Sequence, residues 1–267
     1  MTDPTPPAVT AVHTRIRTAR AEGLGVITLA RPEKKNALDR QTAIELVDAL
    51  HELAVAEDVR VVIVEGDGDD FCAGADLAAL DATLDAGSDT HLDDARALGR
   101  VFTTIREMAK PVVAIVRGRA LAGGAGLATA CDLVLAEESA EFGYPEVRIG
   151  FVPAMVMTML RRAVGEKRAA ELVLTGRIIS ATEAAQIGLI SRCIPTAAFP
   201  SEVARTIEAL VKAPPTAIGL TKRLLYRMDD LDFAQSIGVG VITNVESRAT
   251  DDFRAGVRRF LDRSRPS

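Results

Sequence analysis

The chain has no tryptophan, and aromatic residues fill only 4% of its 267 positions. Its core must therefore be aliphatic and rich in alanine. Three cysteines, Cys72, Cys131 and Cys193, cannot all pair and lack metal-ligand spacing. That excludes a disulfide framework and points to a reduced, cytoplasmic setting. No apolar run reaches eighteen residues, so no membrane span is expected. Basic residues are not in excess: 32 Lys and Arg stand against 37 Asp and Glu, for a net charge of −5. This argues against a general nucleic-acid binder while leaving room for a local basic patch. The first ten residues, MTDPTPPAVT, lack the basic, apolar, small-residue order of a signal peptide and read as a disordered lead. A hydrophobic content of 48% makes the rest a globular chain with an ample core.

What is present in abundance is small residues at two corners. The first is Gly66-Asp67-Gly68-Asp69-Asp70-Phe71-Cys72-Ala73-Gly74-Ala75-Asp76-Leu77, after the strand-like run Val59–Val64. The second is Ala120-Leu121-Ala122-Gly123-Gly124-Ala125-Gly126, after the strand-like run Val112–Val116. Glycines let a backbone approach a ligand closely, and a helix starting near Gly123 would present unpaired N–H groups and a positive dipole end. Such a corner can hold an oxyanion. Tight packing of helix on sheet is the alternative for the paired glycines, and the second corner favours the functional reading. Glu146, on the Pro-stiffened turn Tyr144-Pro145-Glu146, is the carboxylate best placed for chemistry. Asp67, Asp69 and Asp70 lack the terminal Glu of a calcium loop. Cys72 has no neighbouring base and reads as a packing residue.

Elsewhere the pattern predicts strands at Val12–Thr18 and Leu24–Ala30 and a helix capped by Asp39 and running to about Ala56. Ala43, Leu46, Val47, Leu50, Leu53 and Ala54 share one face of that helix, and His51 reads as structural. Residues 80–94 read as an acidic mobile flap carrying an exposed His91, followed by a helix to Met108. After Pro153 the chain is predicted to be helical apart from a strand-like run, Ile190–Ile194, and the C-terminal third is nearly all helix. Arg31-Pro32-Glu33-Lys34-Lys35-Asn36 is either a solvated turn or a phosphate-facing patch, and Lys222-Arg223 is either a solvated pair or an anion contact.

The segments LARPEKKNAL, DFCAGADL, KPVVAIVRGRALAGGAGLATACDLVLAEESAEFGYPEVRIGFVP and TDDFRAGVRRFL occur in this order over nearly the whole chain. Together they resemble the crotonase superfamily, the enoyl-CoA hydratase/isomerase group. The resemblance implies an α/β fold, a spiral of ββα units over residues 11–195, closed by a C-terminal helical trimerisation region over 196–267. It implies a homotrimer or dimer of trimers acting on an acyl-CoA thioester, with coenzyme A entering as part of the substrate and no separate cofactor or metal. The N–H groups of Ala75 and Gly123 would form an oxyanion hole, and Glu146 would be the acid–base residue. Coenzyme A and acyl contacts would fall at Lys35, Ala37, Leu38, Ala73, Asp76, Leu77, Gly124, Gly126 and Pro145, with Arg31, Lys34 and Lys35 adding local positive charge.

Two departures matter. Hydratases of this group carry a second glutamate twenty residues before the one at Glu146, and Gly126 stands there. One acid suffices to take a proton from one carbon and return it to another, so the site leans to double-bond isomerisation, with hydration still open. The second departure is Ala154-Met155-Val156-Met157 after Pro153, which is either helix core or a wall shortening the acyl pocket. The same resemblance also accommodates an acyl-CoA-binding protein without turnover, a decarboxylase or a thioesterase, and Glu146 has a structural alternative in pairing with Arg148.

Overall fold

A computed structural model describes residues 13–263; the expected N-terminal lead lies outside the described residues. Unbroken apolar runs make the central strands of the main sheet, where both faces are covered. Its order is β1 (Ile16–Ala21), β2 (Leu24–Leu29), β3 (Val61–Gly66), β4 (Val112–Val116), β6 (Leu133–Glu137), β9 (Arg192–Ile194), parallel except for the β1–β2 hairpin. Val62, Val64, Val112, Ala114 and Val116 point into the larger core, while Val61, Ile63, Val113 and Ile115 point into a smaller one on the opposite face. This is the period-two alternation of a strand, with both sets of side chains buried.

A second sheet joins β5 (Arg119–Leu121), β7 (Glu141–Gly143) and β8 (Ile178–Ser180). The chain alternates between the sheets. β4 enters the large one, β5 the small one, and α4 (Gly123–Ala130) follows; β6 and β7 repeat the move and end in a 3-10 turn, Pro145–Ile149. The earlier turn of the spiral runs from β3 to a bridge between Cys72 and Ala120, then into the short helix α2 (Leu77–Asp81). The expected spiral of ββα units is present, followed by a helical C-terminal region.

The helix α1 (Arg40–Val55) has the Asp39 cap and buries Ala43, Leu46, Leu50 and Leu53; His51 is exposed. It packs on α3 (Ser88–Glu107), which corrects the expected flap: most of residues 80–94 are helical, with α2 at one end and the first turns of α3 at the other. Arg40 faces Asp93 and Asp94 across the α1–α3 seam, and His91 is an exposed residue of α3. After α5 (Val156–Val164), α6 (Glu166–Thr175) and α7 (Ala181–Gln186) come α8 (Phe199–Lys212), α9 (Pro215–Arg227), α10 (Phe233–Arg248) and α11 (Asp251–Arg263). Among the described residues no helix is long and apolar enough to cross a membrane. Lys222 is not a solvated cation. It is buried on α9 and binds Asp132 at 2.6 Å and the carbonyls of Ile105 and Lys110. Arg223 pairs with Glu246, so neither member is a free anion contact.

Glu45 ties the start of β1 to α1. Its carboxylate accepts from the N–H groups of Thr14, Arg15 and Ile16, the Thr14 hydroxyl and the Gln41 amide. Burial alone would raise its pKa, but the hydrogen bonds from Gln41, Arg15 and Thr14 outweigh it and bring the carboxyl down to about 2. A depressed carboxylate stabilises the fold fully above its unfolded pKa of 4.5 and loses that contribution as pH falls toward 2. Glu45→Gln is therefore expected to cost on the order of 2–3 kcal/mol at neutral pH. Urea unfolding at a series of pH values should show the gap between parent and variant closing below pH ~4.5.

Candidate active site

The two small-residue corners meet. Ala73 N–H donates to Lys35, Leu38 N–H to Gly74, and Asp76 N–H to Leu38, so the first corner is laced to the segment before α1. Gly74 has φ +97°, and a Cβ there would sit 2.7 Å from the Ala122 Cβ and 3.5 Å from the Gly123 nitrogen. Only glycine takes that backbone without strain at so close an approach. Ala122, with φ 50° and ψ −123°, turns the chain sharply from β5 into α4. A non-glycine residue held there stores roughly 1–3 kcal/mol of strain. Its N–H donates to Gly143, and its carbonyl accepts from Gly126. Gly123 thus becomes the first residue of α4, where N–H groups have no helical partner. Among the described residues, neither Gly123 nor Ala75 donates its N–H to another main-chain group.

Both corners open on a cavity of about 560 Å³ that Glu146 also lines. Of the residues named from sequence, Ala37, Leu38, Ala73, Ala75, Asp76, Leu77, Gly123, Pro145 and Glu146 line it. Three residues named from sequence do not. A Cβ on Gly124 would lie 2.2 Å from the Cys72 carbonyl oxygen, so that glycine serves the close packing of α4 on the first corner. A Cβ on Gly126 would lie 2.2 Å from the Val156 Cγ1, so its open side is filled by α5. Lys35 contributes its carbonyl to Ala73, and Lys34 is the lysine at the cavity. Arg31 also departs from expectation: it is buried, bound to Asp76 at 2.7 Å and to the Ala37 carbonyl, and braces the loop.

The remaining walls are apolar. Leu80, Leu98, Phe151, Met155 and Val156 are among them; Met157 is not. Leu98 adjoins the apolar face of α3 at Ala97 and Val101, a periodic signal in the sequence for its place in the wall. Cys72 is fully buried and burial pushes its thiol up to about 12, which suits the packing role expected of it.

Two carboxylates line the cavity, in different states. Asp76 caps α2 through the Ala78 N–H and pairs with Arg31; its pKa is lowered by the Arg31 hydrogen bond first, against the opposing effect of burial. Glu146 is only 8% exposed, and its Oε2 has no hydrogen-bond partner. No ion pair joins it to Arg148 among the described residues. Burial raises its pKa, partly offset by its own main-chain N–H. Desolvation favours the neutral form, as the apolar surroundings predict. Because the folded state disfavours the Glu146 charge, Glu146→Gln is expected to hold or raise the melting temperature. The variant's advantage should grow as pH rises past the ordinary carboxylate range, the opposite of Glu45→Gln; melting scans at acid and alkaline pH check the sign.

The enoyl-CoA hydratase/isomerase family model matches residues 19–267. A Thermus thermophilus protein named as a candidate enoyl-CoA hydratase is 40% identical over 243 residues, which cover 91% of this chain and 96% of the relative. The crystal structure of human enoyl-CoA hydratase domain-containing protein 3 superposes with a TM-score of 0.90 at 29% identity, covering 95% of this chain and all of that one. A Mycobacterium smegmatis enoyl-CoA hydratase structure gives 0.90 at 30% identity, covering 95% and 98%. Sequence motifs, fold and near full-length similarity agree, and the chain belongs to the enoyl-CoA hydratase/isomerase family.

Proposed function

We propose that the protein acts on an enoyl-CoA thioester, with Glu146 as the acid–base residue and the Ala75 and Gly123 N–H groups as the oxyanion hole. The observation that carries the reading is a desolvated carboxyl with an unpartnered oxygen sharing one apolar cavity with both of these donors. Glu146 takes a proton from C2 of a 3-enoyl thioester. The negative charge spreads onto the thioester oxygen, where two aimed N–H groups stabilise it by several kcal/mol, about 3 each. The same carboxyl returns the proton to C4, leaving the 2-enoyl thioester. Asp76 is held by Arg31 and the Ala78 N–H, and Val156 fills the space beside Gly126, which favours one-carboxylate isomerisation. Hydration is the second reading, favoured by the names of the relatives. Coenzyme A enters as part of the substrate along Lys34, Ala37, Leu38 and Ala73.

We propose further that the chain works as a homotrimer or dimer of trimers. No described side chain of α10 is buried, yet Phe233, Ile237, Val241, Ile242 and Val245 lie on it, and Phe260 on α11 is 71% exposed. Neighbouring copies would cover these side chains. Three unpaired cysteines fit a reducing, cytoplasmic compartment.

Incubation with 2-enoyl-, 3-enoyl- and branched acyl-CoAs, read by mass spectrometry, separates the outcomes: hydration adds water and isomerisation leaves the mass unchanged. Deuterium uptake at C2 and C4 is expected in the parent. Glu146→Gln should bind acyl-CoA about normally and lose ~10²–10⁴ in rate. Full activity in that variant refutes the assignment; tight binding without turnover in the parent makes the protein an acyl-CoA binder. Light scattering at micromolar concentration should give a trimer or hexamer, and a monomer refutes the assembly.

A further inference from the structure

The two proposed donors lie on separate segments about fifty residues apart in sequence, and their relative position must be fixed by something that joins the segments. Main-chain bonds supply part of it. Phe71 N–H donates to Arg117, Cys72 N–H to Arg119, and Leu121 N–H to Cys72, so residues 71–72 run beside 117–121 as a short parallel ladder. Ala75 lies three residues beyond one side of that ladder, and Gly123 two residues beyond the other.

Side chains lock the ladder at its base. Arg119 Nε donates to Asp70 Oδ1 at 2.7 Å and Nη2 to Oδ2 at 2.7 Å, while Arg119 N–H donates to Oδ1 at 3.0 Å. A two-pronged guanidinium–carboxylate pair fixes orientation as well as distance. The Asp70 side chain is 8% exposed and that of Arg119 40%. Beside them Gly118, at φ +57°, lies so close to Asp69 that a Cβ would fall 1.9 Å from the Asp69 carbonyl oxygen. On the other side of the first corner, the Asn36 amide donates to the Asp67 and Asp70 carbonyls and accepts from the Arg31 N–H. The Asp70 carbonyl is thus braced from one direction and its carboxylate from another. Neither Asp70 nor Arg119 lines the cavity.

We infer that Asp70 and Arg119 are positioning residues: their paired contact sets the register between the Ala75 and Gly123 corners, and with it the aim of both N–H groups at the developing oxyanion. The inference rests on the oxyanion hole proposed above. A displacement of about 1 Å at a reacting centre can cost about 100-fold in rate, so loss of the pair should be felt in turnover well before it is felt in binding.

Asp70→Asn tests this with the least disturbance, because the amide is isosteric, keeps an acceptor for the Arg119 N–H, and leaves a guanidinium that already reaches solvent. Arg119→Lys keeps the charge and loses the second prong. Acetoacetyl-CoA is the probe of the hole, since its bound enolate has its own near-ultraviolet absorption band; coenzyme A, which has no thioester carbonyl, is the control. The parent should show the band and turn over a member of the enoyl-CoA panel. Asp70→Asn should weaken the band and lower kcat by about 10- to 100-fold, with KM and the affinity for coenzyme A nearly unchanged. Arg119→Lys should fall between the two. Variants with parental kcat and an undiminished band would overturn the positioning role. So would equal losses in kcat and coenzyme A affinity, which would mark a general loss of structure. A parent with neither band nor turnover would overturn the oxyanion-hole reading itself, and the positioning role with it.

Discussion

The hydrogen bonds between residues 71–72 and 117–121 are the constraint on which the rest of the site depends. They join successive turns of the spiral where each leaves the large sheet, and they bring two glycine-rich corners side by side. The large sheet makes this possible because β3 and β4 are adjacent and parallel, so the segments that follow them emerge at the same edge. Aliphatic side chains on both faces hold those strands in register, each fully buried one contributing roughly 1.5–3 kcal/mol relative to exposure. The two corners therefore take their relative position from the core.

The buried charged side chains around that ladder include several that are fully held and one carboxylate, Glu146, that is not. Glu45, Asp70, Asp76 and Lys222 are each buried and each held by several partners or a full ion pair. They fasten the start of β1, the first corner, the entry to α2 and the C-terminal helices respectively. Glu146 Oε2 stands apart with no partner and with a pKa raised by burial. A fold that satisfies its other buried carboxylates so fully, and leaves this oxygen bare in an apolar cavity, gives that oxygen a different status.

The main sheet was legible in the sequence because uninterrupted runs such as Val112–Val116 have one explanation in a chain of this kind, a strand covered on both faces. α1 was legible from its cap and its apolar stripe. The three-residue strands β5, β7 and β8 were not, since three residues carry no periodicity, and their pairing depends on partners about twenty to forty residues away. The start of α3 was hidden by acidic residues that read as solvated loop, two of which lie opposite Arg40 across the helix seam. In the site, the corners and Glu146 could be named from local pattern alone. The separation of Gly123 from Gly124 and Gly126 could not. What tells them apart is Cys72 behind one and Val156 behind the other, and neither neighbour is near in sequence. The burial of Lys222 is hidden for the same reason: its partner Asp132 lies 90 residues earlier.

The two N–H groups belong to the backbone, and this has a consequence for how such a site can change. Every residue type but proline carries an N–H, so exchanging the side chain at position 75 or 123 does not by itself delete the donor. In the proposed mechanism the polarising half of the chemistry would be encoded in shape and insensitive to side-chain identity where it acts, while the proton-moving half would be concentrated in one replaceable carboxyl. Under that mechanism a lineage that keeps the corners would be able to gain, lose or relocate carboxyls around the cavity, and so exchange one reaction for another, without rebuilding the means of holding the charged intermediate.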